Sequence, residues 1–468
     1  MYRWPGGRSP RGKSMDAIRH FSNHVLDVRL KDLPDIVVTS AKTFVLDSIG
    51  VGIAGSTGQW APELAACAPA WGTGEDARVF GRAGRYPDAL AALMNAYQIH
   101  NCEFDCLHEK AVVHAMTAVL PAALATAERL GGVAGPQLLE AVIAGVDIAC
   151  AIGLGGTRPM KFFRPGVAGG FGATAAAGKL LDFDAATLQN AFGTTFAQSC
   201  GSMQAHEEGT MLLALQVGFN TRNALHACAL AAKGLRAPQE VLEGRFGYYA
   251  LFEDGSDLGP VVESFGKVWR IAELAQKPFP SGRATHGALE AIAGLMARHA
   301  FGADDVETVL IRLTPVARTL VGRPPRDDMA ANYARLCMAY CAARMLGGGR
   351  LDMEDFTAQV LADGKSRHLA SRVKIEALDT ASTDAFAPAE VEIALKDGRT
   401  LSQTVAHILG HPLNPLPREA HLEKFRRNCR LSATPLSSVA AEQMIAAVDE
   451  LERVPDVGIL MDLAAASS

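Results

Sequence analysis

One stretch, residues 100–128 (HNCEFDCLHEKAVVHAMTAVLPAALATAE), constrains this chain more than any other. Three histidines (His100, His108, His114) and four carboxylates (Glu103, Asp105, Glu109, Glu128) lie in or beside a segment that becomes strongly apolar. Leu120, Ala123, Leu124 and Ala127 recur at helical spacing, with Pro121 expected in the first turn of that helix. The residues before Ala115 carry no such period and read as a loop. Titratable groups at the mouth of a buried helix are costly unless they are paired or used. The fold must therefore bring partners to this loop, and acid/base chemistry is a natural use for it.

The rest of the chain reads as mainly helical. Its 468 residues exceed what one simple core accommodates, so two domains are expected. Aromatic residues make up only 6%, and the abundance of Ala and Gly favours closely packed helices over a β-sandwich. Helical periods appear at residues 15–30, 33–54, 87–99, 135–153, 167–181, 184–199 and 211–232. Residues 77–84 look strand-like. Near residue 276 the texture changes. Val306–Leu313 and Val373–Ala377 alternate as strands do, and Ala389–Thr400 alternates up to a hairpin turn at Asp397-Gly398. A helix over 329–345 is expected between them. The predicted organisation is a disordered tail at 1–14, a large all-helical domain over 15–275, a smaller α+β lid over 276–404, and a C-terminal return to the helical domain over 405–468.

Charge and cysteine usage narrow the function classes. The net charge is −5 with no sustained basic run, which argues against nucleic acid as a partner. The early apolar segment 36–54 is interrupted by Lys42 and Asp47, so no membrane span is expected. Nine scattered cysteines lack paired zinc-site spacing and read as reduced thiols of a cytoplasmic protein.

Several places carry candidate chemistry. In the loop, the His-x7-His-x5-His spacing matches no standard zinc pattern, so no metal is expected. Acid/base use and plain hydrogen-bonded histidines both remain open. At the domain boundary, residues 277–286 (KPFPSGRATH) bring Lys277, Arg283 and His286 into one short run. The two cations suit a carboxylate and the histidine could move a proton, although a basic linker would look similar. Arg158, Lys161 and Arg164 precede a small-residue helix, where an anion would be favoured; a solvated basic turn fits as well. His206-Glu207-Glu208 reads as a solvated loop, and Tyr333, Arg335 and Tyr340 as part of a core helix.

Taken together and in order, these segments resemble the MmgE/PrpD family. The resemblance is carried by AKTFVLDSIGVGIAG (41–55), VFGRAGRYPDALAALMNAYQIHNCEFDC (79–106), HAMTAVLPAALATAERLGG (114–132), FFRPGVAGGFGATAAAGKLLDFD (162–184), KPFPSGRATHGALEA (277–291) and GHPLNPLPREAHLEKFRR (410–427). It implies a large helical domain with an α+β lid, a homodimer, and a site between domain and lid. It also implies proton movement next to a carboxylate of a small di- or tricarboxylate, with no required cofactor. The sequence departs from the family pattern in places. Glu103 stands for the first loop aspartate, and Cys106 for the second residue of an Asp-Asp pair. His114-Ala115 replaces His-Pro, and Phe163-Arg164-Pro165 replaces Phe-His-Pro. Leu212-Leu213-Ala214-Leu215-Gln216 replaces Thr-Lys-x-x-His.

The resulting expectation is an enzyme that removes a proton α to a carboxylate, in the manner of a dehydratase-type lyase. His114 and His286 are the expected proton carriers, supported by Glu103 or Asp105. Lys277, Arg283, Arg164 and His100 are expected to bind the substrate. An epimerase of a substituted succinate resembling iminodisuccinate is the alternative, because two opposed bases suffice and the lost Lys/His pair is then not missed. A non-catalytic carboxylate-binding relative is the reading from another class.

Overall fold

A computed structural model describes residues 16–379 and 386–465. The tail expected at 1–14 lies outside the described residues. The first part of the chain is helical: α1 (Ile18–Asp27), α2 (Asp35–Gly55), α3 (Ala61–Trp71), α4 (Asp88–His100), α5 (Ala115–Leu130), α6 (Gly135–Gly155), α7 (Arg164–Leu180), α8 (Ala185–Ala197), α9 (Gln204–Glu208) and α10 (Leu212–Ala232). Helix α5 is buried almost from end to end and sits among α4, α6, α7 and α10. Helices α2 and α6 are long and apolar enough to cross a membrane, but both lie largely inside this protein core.

Small residues explain how so many apolar helices pack so closely. Where α6 meets α7, Gly145 and Gly172 face each other. A Cβ on Gly172 would lie 2.5 Å from the Gly145 carbonyl oxygen, and one on Gly145 would lie 2.7 Å from that of Gly172. The helices touch backbone to backbone there, and neither backbone can yield without moving its whole helix.

The smaller domain is α+β. Strands β1 (Val306–Leu313), β2 (Val373–Ala377), β3 (Ala389–Leu395) and β4 (Thr400–Val405) form one sheet in the order β2-β1-β3-β4. β1 and β2 run parallel, and the other pairs are antiparallel. Alternation on β3 buries Ala389, Val391, Ile393 and Leu395 toward the helix His286–His299. The expected hairpin is present: Gly398 takes φ 91°, and Asp397 caps the turn by accepting from the Arg399 amide. The C-terminal helix Arg418–Arg430 packs on α2, with Phe425 against Gly50.

Three local expectations are corrected. Residues 77–84 form only an isolated bridge, Ala77 to Tyr86, because the Asn95 and Gln98 side chains take the backbone groups of Arg78 and Phe80 that a strand would pair. The helix expected over 329–345 is broken into Ala331–Arg335 and Met338–Gly348, with Cys337 in an extended conformation between them. Pro121 is inside α5 and not in its first turn, because the helix starts at Ala115, directly after the loop histidine.

The α6–α7 crossing supplies a test. Gly172→Ala should destabilise the protein by about 1–3 kcal/mol, the usual range for overpacking a rigid contact. Urea denaturation measures this, and an unchanged midpoint would mean that the helices separate without strain.

Candidate active site

The residues between α4 and α5 fold into a compact loop, and its centre is the carboxylate of Asp105. Asp105 is wholly buried. Its Oδ2 accepts from His114 Nδ1 at 2.7 Å, from His100 Nδ1 at 3.0 Å and from the Thr117 hydroxyl at 2.6 Å. His100 ends α4, His114 caps α5, and Thr117 lies in the first turn of α5. One carboxylate thus ties together the ends of two core helices. On its other side Lys277 Nζ lies 3.9 Å from Asp105 Oδ1 and 2.8 Å from Glu103 Oε2, and it also donates to the Glu103 carbonyl at 3.1 Å. A second buried lysine holds the same loop from below. Lys424 Nζ bridges Asp47 Oδ1 (2.8 Å) and the Phe104 carbonyl (3.0 Å), and it sits over the Phe104 ring.

This arrangement separates the protonation behaviour of the two histidines. Burial opposes charge on both rings. At His100 the Asp105 and Glu103 carboxylates outweigh burial, and the pKa rises. At His114 burial prevails over Asp105, and the pKa falls below the ordinary 6.5. Asp105 is held well below the usual carboxylate range: burial raises its pKa, but His114, His100 and Lys277 together outweigh it. Glu103 drops to about 2 in the same way, with Lys277 outweighing burial. At neutral pH, His114 therefore favours the neutral ring, and charge is better supported on His100 than on His114. Since an ionised carboxylate accepts at His114 Nδ1, that nitrogen carries the proton. Nε2 keeps its lone pair and has no protein partner among the described residues.

His114 lines a cavity of about 60 Å³ between the helical domain and the lid. Glu103, Phe163, His206 and Leu213 also line it from the helical side, and Gly282, Arg283, Leu336 and Phe386 from the lid. The cavity is small, with room for only a few waters.

The cations expected to clamp a substrate each have a glutamate of their own. Arg164 forms a two-point pair with Glu253, at 2.9 and 2.7 Å, and donates to the Ala111 carbonyl. Arg283 Nε donates to Glu109 at 2.6 Å, and its other nitrogens bond the carbonyls of Gln276, Leu409 and Ile408. Lys277 has Glu103. Arg164 and Arg283 thus secure the loop and the lid junction, and Lys277 alone pairs with a carboxylate that itself lines the cavity. His286 is also placed differently from expectation. It is fully buried beside Phe279, is not among the cavity-lining residues, and bonds the Ser281 carbonyl at 3.2 Å. Burial, with Arg283 and Lys277 nearby, holds its pKa well below 6.5. It serves the folded lid junction. His100 lies one layer behind His114, ring to ring at 4.7 Å.

His206 was expected in a solvated loop. It is instead buried on the cavity wall, where Arg323 donates to its carbonyl at 2.9 Å. Burial and Arg323 lower its pKa to about 4. No sequence signal marks this placement, which depends on the lid lying over α9. Thr117 was legible in principle: it lies three residues after His114, on the same helix face. The donor atoms of His100, Asp105 and His114 converge within 4.8 Å, as in a metal site. The oxygen they share already accepts three hydrogen bonds, however, and the Lys277 ammonium stands 3.9 Å from the other oxygen of the same carboxylate. A cation placed there would face that charge directly.

Comparison with known proteins agrees with this architecture. The MmgE/PrpD N-terminal domain matches residues 19–260, and the MmgE/PrpD C-terminal domain matches residues 279–451. The chain belongs to the MmgE/PrpD family. Among its relatives, cis-aconitate decarboxylase of Mus musculus is 27% identical over 95% of this chain and 92% of its own length. The Homo sapiens enzyme of the same name is 27% identical over 95% and 93%. That of Aspergillus terreus is 26% identical over 92% of each chain.

The Lys277–Glu103 pair gives the second test. Lys277→Met leaves Glu103 buried without its counter-charge and should cost about 3–5 kcal/mol, whereas the double variant Lys277→Met/Glu103→Leu should lose less than that. Chemical denaturation of the three proteins decides. A loss below about 1 kcal/mol in Lys277→Met would place this pair with weakly coupled surface pairs.

Proposed function

We propose that this protein is a lyase acting on a small di- or tricarboxylate, with His114 as the group that moves a proton at the carbon next to a carboxylate. One observation carries the reading. A neutral imidazole, oriented at Nδ1 by a buried carboxylate, presents Nε2 at a cavity closed by the lid. That is the arrangement a general base requires. Family membership and the decarboxylase relatives support the lyase class.

In the dehydration form, Nε2 takes the α-proton and the electron pair passes into the adjacent carboxylate as an enediolate. That pair then forms the alkene as the β-hydroxyl leaves as water, taking its proton from the imidazolium that His114 has become. The developing negative charge is met by Lys277, with the substrate carboxylate competing against Glu103 for the ammonium. A second reading, decarboxylation, is favoured by the relatives' names. There the C–C electron pair stays on the substrate when carbon dioxide leaves, and the resulting carbanion takes a proton from a protonated imidazole. Epimerisation needs a second base on the opposite wall, and His286 is not on that wall.

The two lyase readings differ in pH dependence. A neutral His114 acting as base is lost as pH falls through its lowered pKa, so the rate should rise with pH to a plateau, with a midpoint below 6.5. If His114 is the acid, the rate should fall as pH rises through the same range. His114→Ala should lower kcat by about 10²-fold or more. Proton NMR in deuterated water with citrate, 2-methylcitrate and cis-aconitate identifies the product. Thermal stabilisation by these acids without turnover or deuterium exchange would turn the assignment to a carboxylate-binding protein.

A further inference from the structure

A second cavity is larger than the one lined by His114. It measures about 740 Å³ and lies on the far side of the same loop. Adjacent residues divide the two spaces. Cys102 faces the large cavity and Glu103 the small one; Arg335 faces the large cavity and Leu336 the small one. Arg335 lies at the end of the short helix Ala331–Arg335 and is 4% exposed.

This arginine differs from the other buried ones. Arg164 and Arg283 each have a glutamate, but among the described residues Arg335 has no carboxylate partner. Nη1 donates to the Asn101 carbonyl at 3.3 Å, Nε is buried with no partner, and the guanidinium stacks over Phe356 at 4.8 Å. The nearby Cys102 thiol supplies no counter-charge, because burial raises its pKa. A guanidinium cannot shed its proton, so burial without an anion leaves a charge uncompensated. The cavity beside it is large enough to supply one.

We propose that this cavity binds a small monocarboxylate, with the carboxylate on Arg335 and the rest of the ligand against Phe356 and Met353. The rim selects for low charge. Asp327, Asp328 and Glu354 line the outer part of the cavity; Arg367 pairs with Asp327 and Arg427 with Glu354, which leaves Asp328 as the carboxylate that a second anionic group on the ligand would meet. The guanidinium's bond to Asn101 places this site two residues from Glu103, so it is a second site behind the catalytic loop and separate from the His114 cavity.

Thermal unfolding of the full chain tests this at constant ionic strength, with propionate, succinate, inorganic phosphate and a chloride control. Propionate should raise the Tm in proportion to the logarithm of its concentration, more than succinate or phosphate does. The rise should vanish in Arg335→Leu and persist in His114→Ala. No rise with propionate, a rise surviving in Arg335→Leu, or one lost in His114→Ala would overturn the proposal. A larger rise with phosphate or succinate would overturn the ligand class. Should Arg335→Leu fail to fold, a crystal structure of the wild-type protein soaked in propionate replaces it. A carboxylate within hydrogen-bond distance of the Arg335 guanidinium upholds the site. Water alone, or a side chain from a second copy of this protein, overturns it.

Discussion

The buried carboxylate of Asp105 is the constraint on which the rest of the site depends. It has no solvent, so every bit of its charge must be met by protein groups. Two imidazoles and a hydroxyl meet one oxygen, and an ammonium approaches the other. The donors come from the end of α4, the start of α5 and the first residues of the lid. Fixing one anion therefore fixes the relative positions of two core helices and a second domain. It also sets the tautomer of His114, and with that the direction in which its free nitrogen accepts a proton.

The glutamates extend the same logic outward. Glu103, Glu109 and Glu253 each neutralise one cation that would otherwise be free to hold a substrate carboxylate. Two of the three obvious clamps, Arg164 and Arg283, are tied to a glutamate outside the cavity lining, and of these two Arg283 itself lines the cavity. A buried pair like these is a modest source of stability compared with apolar packing, but it fixes geometry strictly, because separating the partners strands a charge. Leu213 on the cavity wall, where the family pattern has a lysine, makes the site less cationic still.

Much of this was legible in the sequence, for physical reasons. The 3.6-residue period of α5 and α6 and the alternation of β3 report burial directly, so the helical domain, the sheet and the hairpin at Asp397-Gly398 could be read. The loop was recognisable because His100, Asp105 and His114 are too polar for their surroundings. The pairings were not readable. Arg164 and Glu253 are far apart in sequence, as are Lys277 and Glu103, and only the folded chain shows that these charges cancel. For the same reason, His286 looked like a proton carrier: its neighbours in sequence are cations and a turn, whereas its neighbours in space seal it in. The break at Leu336-Cys337 was masked by continuous apolar composition.

The small volume of the His114 cavity has a kinetic consequence. On the proposed function, a space for only a few waters is too small for a polycarboxylate, and the lid-side wall formed by Gly282, Leu336 and Phe386 would retreat and return in every cycle. If that motion is slower than the chemistry, the bound molecule is committed to react once the wall closes. Substituting deuterium for the transferred hydrogen would then barely slow turnover, while solvent viscosity would slow it markedly. The step that the loop histidines perform would be hidden behind the movement of the door in front of them.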